Sequence, residues 1–130
     1  DFYFYCLHRW MHANPYIYRK IHRIHHRNRQ PTPMEYIYTH PLEWLMGMGG
    51  LTLAFILLGG IAFETFIVYL VIRTVHEFSI HSGLPSSPIV KLIPFYGSNQ
   101  HHEIHHQKFD CNYAATFTIW DKLFGTEAVE

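Results

Sequence analysis

Residues 101–106 read HHEIHH, four histidines in six positions. On a helix His102, His105 and His106 stand at i, i+3 and i+4 and share one face, with His101 four residues before His105. The same H-x-x-H-H spacing recurs at His22, His25 and His26 in HRIHH (22–26), and His8 and His12 in HRWMH (8–12) are four apart. His76 and His81 follow in HEFSIHSG (76–83). A lone histidine is ordinarily a packing or surface residue. Three clusters at helical spacing, two of them repeating one pattern, instead read as walls of a metal site.

Imidazole suits iron, zinc, copper and nickel, and about eight to ten neutral nitrogen donors exceed what one ion takes, so two metals is the natural count. Two divalent cations held by neutral ligands leave about four positive charges to balance. Glu77, Glu103, Asp110 and Asp121 are the carboxylates expected behind the ligands. A hydrolytic zinc site uses about three protein ligands and a water, so four or five ligands per ion favours redox chemistry while leaving zinc open.

Working outward, the chain is 48% hydrophobic, 15% charged and formally neutral, which argues against a disordered tail or a nucleic-acid binder. Arg9, Arg19, Lys20, Arg23, Arg27 and Arg29 come early, and no further Lys or Arg appears until Arg73. The basic run reads as a face for anionic lipid rather than nucleic acid. Between these charges, residues 41–72 are apolar apart from Glu43 and Glu64 and are broken at Gly59-Gly60. The pattern predicts a helical hairpin over about 42–74. Arms of about 17 to 19 residues span roughly 26 to 28 Å, close to a hydrocarbon core of about 30 Å. Both flanks then lie on one side, cytosolic by the positive-inside tendency, with Glu64 near the far interface.

The expected fold is therefore all-α: a membrane-embedded helical hairpin with a cytosolic, histidine-rich helical cap holding a two-metal site. It forms one domain over residues 1–130, read as a piece of a longer chain. DFYFYCLHRWMHA (1–13) and YIYRKIHRIHHRN (16–28) read as helices, with Pro15 starting the second. Residues 83–98 read as a proline-punctuated loop, either a lid for lipid entry or a plain connector. Cys6 and Cys111 read as small buried hydrophobes. Trp120 reads as packing.

HRWMH, HRIHH, HSG and HHEIHH, in that order and followed by NYAATFTIWDKLFGT (112–126), make the chain resemble the sterol desaturase and fatty acid hydroxylase superfamily of membrane-bound, non-haem di-iron enzymes. Within it, THPLEW (39–44) and KLIPFYGSNQHHEIHHQKF (91–109) are most similar to 4-methylsterol oxidases, while CNYA and WDKLFGT are also similar to cholesterol 25-hydroxylases. The resemblance implies an endoplasmic reticulum enzyme with two iron ions. It would use O2, and electrons from NAD(P)H through a reductase and cytochrome b5, to hydroxylate a C–H bond of a sterol or other membrane lipid. On a 4-methylsterol, repetition at one carbon would carry the methyl group to a carboxylate.

The resemblance also implies the ligands. His8, His12, His22, His25, His26, His102, His105 and His106 match the three histidine boxes, His81 an additional ligand position, and His101 the outer histidine of the third box. His76 departs from the family pattern, where an acidic residue is usual, and is either an extra ligand or an interfacial histidine. No catalytic residue beyond the ligands is implied. Sterol side-chain hydroxylation, sterol desaturation and fatty acid or sphingolipid hydroxylation are alternatives within the superfamily. A zinc-dependent lipid hydrolase with Glu103 as base, or a metal-binding membrane protein, are alternatives outside it. A transporter would want ligands in the middle of its spans, where these arms have none.

Overall fold

The computed structural model describes residues 1–30 and 32–128. Helix α1 spans Phe2–Ala13, α2 Pro15–Lys20, α3 Pro41–Leu57, α4 Phe63–Ile80, α5 Asn99–Lys108 and α6 Ile119–Leu123. Short 3-10 turns occupy His22–Arg27, Pro33–Tyr36 and Val90–Leu92. Strand character is confined, among the described residues, to one isolated antiparallel bridge between Tyr96 and Phe117. The all-helical expectation holds.

Local chemistry sets the boundaries. The Asn14 side chain accepts the amides of Tyr16 and Ile17 at 3.0 and 3.1 Å, with Pro15 filling the first turn where no amide is needed. Ser98 does the same for α5 through the His101 amide. Phe109 ends α5 in the left-handed region at φ 69°, its amide bonded to the His105 carbonyl at 2.8 Å. This reversal brings the Cys111 carbonyl back under the helix that precedes it.

The segment 16–28 departs from its expected single α-helix. The α-helix stops at Lys20, and His22–Arg27 winds as a 3-10 turn. Three residues per turn eclipse positions i and i+3. His22 and His25 accordingly stack, their ring centroids 5.7 Å apart at 29°.

The hairpin forms where the sequence breaks. Gly59 (φ 67°) and Gly60 (φ 105°) turn the chain in a region that only glycine enters without cost. Among the described residues, however, no helix is long and apolar enough to cross a membrane. Helix α3 is 17 residues, and the 18 residues of α4 include Glu64, Arg73 and Glu77. Both arms nonetheless expose apolar faces that this chain does not cover: Trp44, Leu45, Leu53, Ile56 and Leu57 on α3, and Ile67, Val68, Val71, Ile72 and Val75 on α4. Helix α3 buries none of its residues. It meets α1 through Tyr3, whose hydroxyl donates to the Met46 carbonyl at 2.9 Å and whose ring lies directly over Gly49 and Gly50.

The buried centre lies at the other end. Tyr5, Met11, Ile80, Tyr113 and Ala114 surround a dense set of buried histidines. Cys111 is buried as expected; Cys6 is exposed, because it lies off the face of α1 that carries Tyr5, His8 and Met11 inward. Trp120 packs against the Tyr5 cluster and donates from Nε1 to Asp1 at 2.6 Å.

Candidate metal centre

Nine histidines converge in two adjoining groups. His8, His12, His22, His26 and His105 form one, and His25, His81, His102 and His106 the other; in each, one ligand atom per residue lies within 4.8 Å of all the rest. Helix α1 contributes His8 and His12 from successive turns of one face. Each H-x-x-H-H box divides: its first and last histidines serve one group and its middle histidine the other. Thus His22 and His26 share a group with His105, while His102 and His106 share theirs with His25.

Where the side of a ring facing away from the centre meets an acceptor, that bond fixes the tautomer. Nδ1 of His8 donates to the Tyr113 carbonyl at 2.7 Å, that of His105 to Cys111 at 2.7 Å and that of His81 to Glu77 at 2.7 Å. Nδ1 of His106 donates to Asn28 at 3.2 Å. With the proton on Nδ1, Nε2 carries only a lone pair. Yet Nε2 of His26 stands 3.0 Å from Nε2 of His12, 3.0 Å from that of His22 and 3.1 Å from that of His105. In the second group Nε2 of His102 stands 2.9 Å from that of His81 and 3.2 Å from that of His106. Nε2 of His26 or His102 could donate to one such neighbour at most, so the remaining lone pairs repel unless a cation lies between them. A metal–imidazole bond of about 2.1 Å with ligands at right angles puts neighbouring nitrogens roughly 3.0 Å apart, against about 3.4 Å for a tetrahedron. The two donor sets therefore fit metal ions.

Electrostatics agree. Burial, the largest cause, holds His8 and His81 down to about 4, His106 to about 3 and His12 to about 2. Burial followed by neighbouring histidines also holds His22, His25, His26, His102 and His105 well below the ordinary imidazole range. All nine are neutral ligands at neutral pH, which is the form a metal needs.

The remaining sequence candidates are placed elsewhere. His101 lies outside both groups; its Nε2 meets Asp121 Oδ2 at 3.1 Å, because the residue before His102 on α5 turns toward the C-terminal segment. His76 is also outside, donating from Nε2 to the Ala115 carbonyl at 3.1 Å with its ring 4.5 Å from Tyr96. Asp121 is fully buried but grips His101, the amides of Tyr113 and Ala114 (2.8 and 2.9 Å) and the Thr126 hydroxyl (2.7 Å) rather than a grouped histidine. Burial alone would raise its carboxyl; hydrogen bonds from His101, Thr126 and Ala114 outweigh that and hold it low. Glu103 meets Gln107, and Asp110 is exposed. Glu77 contributes its carbonyl to His81, while its carboxylate pairs with Arg73 at 3.6 Å.

One carboxylate was missed. Glu43 Oε1 accepts from Nδ1 of His22 at 2.8 Å. In sequence it reads as an interruption of the apolar arm; the THP turn at its N-terminal side was the available signal, since Pro41 starts α3 there and aims the first turn back at the histidines. Glu43 also lines a cleft of ≈ 100 Å³ between α3, α4 and the histidine groups. Phe4, Trp44, Met48 and Leu51 give it apolar walls, and His8, His22, His25, His81 and His102 border it.

The helical scaffold thus presents two buried histidine groups, each able to hold a metal ion, to one cleft with apolar walls. Residues 1–126 match the family model described as Fatty acid hydroxylase, and the chain belongs to that family. It is 38% identical to Methylsterol monooxygenase 1 of Rattus norvegicus, over 98% of this chain and 43% of that protein. It is 37% identical to Methylsterol monooxygenase 1 of Gallus gallus (98% and 43%) and 35% identical to Methylsterol monooxygenase erg25B of Aspergillus fumigatus (98% and 44%). The chain thus spans less than half the length of these relatives. No solved structure matches it significantly.

Proposed function

We propose that this chain is the metal-holding region of an oxygen-dependent sterol hydroxylase that oxidises a 4-methyl group stepwise. The observation that carries this reading is the convergence of Nε2 atoms from two histidine groups at the border of an apolar cleft. His8, His12, His22, His26 and His105 hold one iron, and His25, His81, His102 and His106 the second. When bound, histidine-held iron supplies oxygen activation and oxidation of an unactivated C–H bond. The backbone carbonyls of Tyr113, Cys111, Glu77 and Asn28 fix the ring orientations, so the ligands need no rearrangement as the metal charge changes. The apolar walls exclude water and orient the lipid against the ligands. A hydrolytic zinc site has no use for a five-histidine group.

The uncovered apolar faces of α3 and α4 support embedding the hairpin in the bilayer of the endoplasmic reticulum with the histidine end on the cytosolic side. Electrons come from NAD(P)H through a reductase and cytochrome b5. The test is the lipid profile of cells lacking the full-length protein. Accumulated 4-methyl or 4,4-dimethyl sterols support the reading; an unchanged sterol pool with a missing hydroxylated lipid moves the substrate elsewhere in the family.

A further inference from the structure

Glu43 has two carboxylate oxygens in different situations. Oε1 accepts from His22, whereas Oε2 is buried and has no hydrogen-bond partner among the described residues. The charged side chains beside it, and His81, are matched. Arg73 donates to the Tyr36 hydroxyl at 2.8 Å and pairs with Glu77, and His81 donates to the Glu77 carbonyl. The other buried atoms here without partners, His8 Nε2, His25 Nδ1 and His102 Nδ1, are nitrogens of the grouped histidines. Leaving a buried acceptor unmatched costs about 1–3 kcal/mol, more for a charged one, so such an atom lining a cleft marks where a ligand's donor belongs. Around it the walls are Phe4, Trp44, Met48 and Leu51, which accept hydrocarbon.

We propose that Glu43 Oε2 accepts a hydrogen bond from a hydroxyl group of the lipid substrate and so places the carbon beside that hydroxyl against the histidine groups. This rests on the sterol-oxidase reading and deepens it by naming the residue that selects an alcohol. A ketone in place of the hydroxyl would bring Oε2 no hydrogen to accept. A deoxy analogue would leave Oε2 unpaired. Sites built to hydrogen-bond a substrate hydroxyl discriminate strongly against analogues without it.

The experiment uses the full-length protein in lipid nanodiscs, loaded with iron, and three ligands: a 4-methylsterol, its 3-ketone and its 3-deoxy analogue. Equilibrium binding, turnover and bound metal are read together. Wild type should favour the alcohol over both analogues by about tenfold or more. Glu43→Gln can keep an amide oxygen on His22 and turn its NH2 into the cleft, where it donates to a carbonyl. Its alcohol-to-ketone binding ratio should fall at least tenfold with metal retained. Glu43→Asp, which withdraws the carboxylate by one methylene, should also lose the alcohol preference and serves if the glutamine variant does not accumulate. Equal losses for alcohol and ketone alongside lost metal would show that Glu43 only holds His22 and would overturn the proposal. Oxidation by wild type without any alcohol preference would overturn it while leaving the sterol reading intact. Failure of wild type to bind or oxidise any of the three would overturn both.

Discussion

His25 and His105, the middle histidines of the two H-x-x-H-H boxes, cross over: each joins the metal group built on the other box. Their rings meet those groups at centroid distances of 4.8 Å (His25 to His106) and 4.7 Å (His105 to His26). The 3-10 turn and α5 are thereby laced together through histidine contacts, which joins the two groups.

The crossing makes a prediction about metal count. His105→Ala removes a ligand from the five-histidine group and His25→Ala one from the four-histidine group. Losing even a ligand's outer hydrogen-bond partner ordinarily weakens metal binding by about one to two orders of magnitude, and losing the ligand should cost at least that, so each variant should retain roughly half the iron and essentially no oxidation. Elemental analysis of membrane-extracted protein checks this. Full metal content and ordinary turnover in either variant would contradict the assignment.

His101 and His102 are adjacent yet should behave oppositely. His102→Ala should lose metal from its group, whereas His101→Ala should keep metal, because its ring faces Asp121. The cost of His101→Ala is the hydrogen bond to a buried carboxylate, about 1–3 kcal/mol of stability. Asp121→Ala should cost more, since the amides of Tyr113 and Ala114 lose their acceptor and the Tyr113 carbonyl that orients His8 is freed. Thermal melts alongside iron content separate the two effects; equal iron loss in both histidine variants would place His101 among the ligands after all.

Acid should unfold the metal-free protein over a defined window. His8 and His81 titrate near 4 in the folded chain and near 6.5 when unfolded, so between these values the unfolded state binds more protons. Stability is complete above about pH 6.5 and falls as the pH drops toward 4, each such group withdrawing up to about 3 kcal/mol once both states are protonated. Denaturant midpoints between pH 7.5 and 4.5 measure the slope, which should be steep because several histidines contribute. A flat profile would mean the histidines are not buried together.

Much of this was readable from spacing alone. The helical positions of His8 and His12, and the repeat of H-x-x-H-H, reflect helical geometry that a sequence states directly, and the break at Gly59-Gly60 is a backbone property of glycine. What spacing could not state was which group each histidine joins, because that depends on how two separate segments are set against each other. His101 shows the same limit: its spacing to His105 fits a ligand, and only the return of the 112–126 segment gives it Asp121 instead. The acidic residues near the boxes in sequence, Glu103 and Asp110, lie on the outer side, while Glu43, some twenty residues from His22, reaches it because α3 starts beside the histidines. The 3-10 winding of 22–27 was likewise hidden, since residue types that form it also form α-helix.

Gly97 tests the link between the loop before α5 and the centre. Its amide bonds the Thr116 carbonyl at 2.7 Å, and a Cβ at this position would collide with the Ala115 carbonyl oxygen. That oxygen is backbone and also accepts from Nε2 of His76, so it has no flexible route out of the way. Gly97→Ala should therefore separate residues 95–98 from 115–118, breaking the Tyr96–Phe117 bridge and costing about 1–3 kcal/mol, as overpacking in a close backbone contact does. Because Ser98 caps α5, the disturbance should reach His102 and His105 and lower metal affinity without removing any ligand. Gly125→Ala offers the contrast: it has φ 63° and open space around its Cα, so strain there lowers stability with no comparable effect on metal. Competition of each variant against a graded series of chelators reads the difference. Equal metal affinity in the two would show that the loop does not set the position of α5.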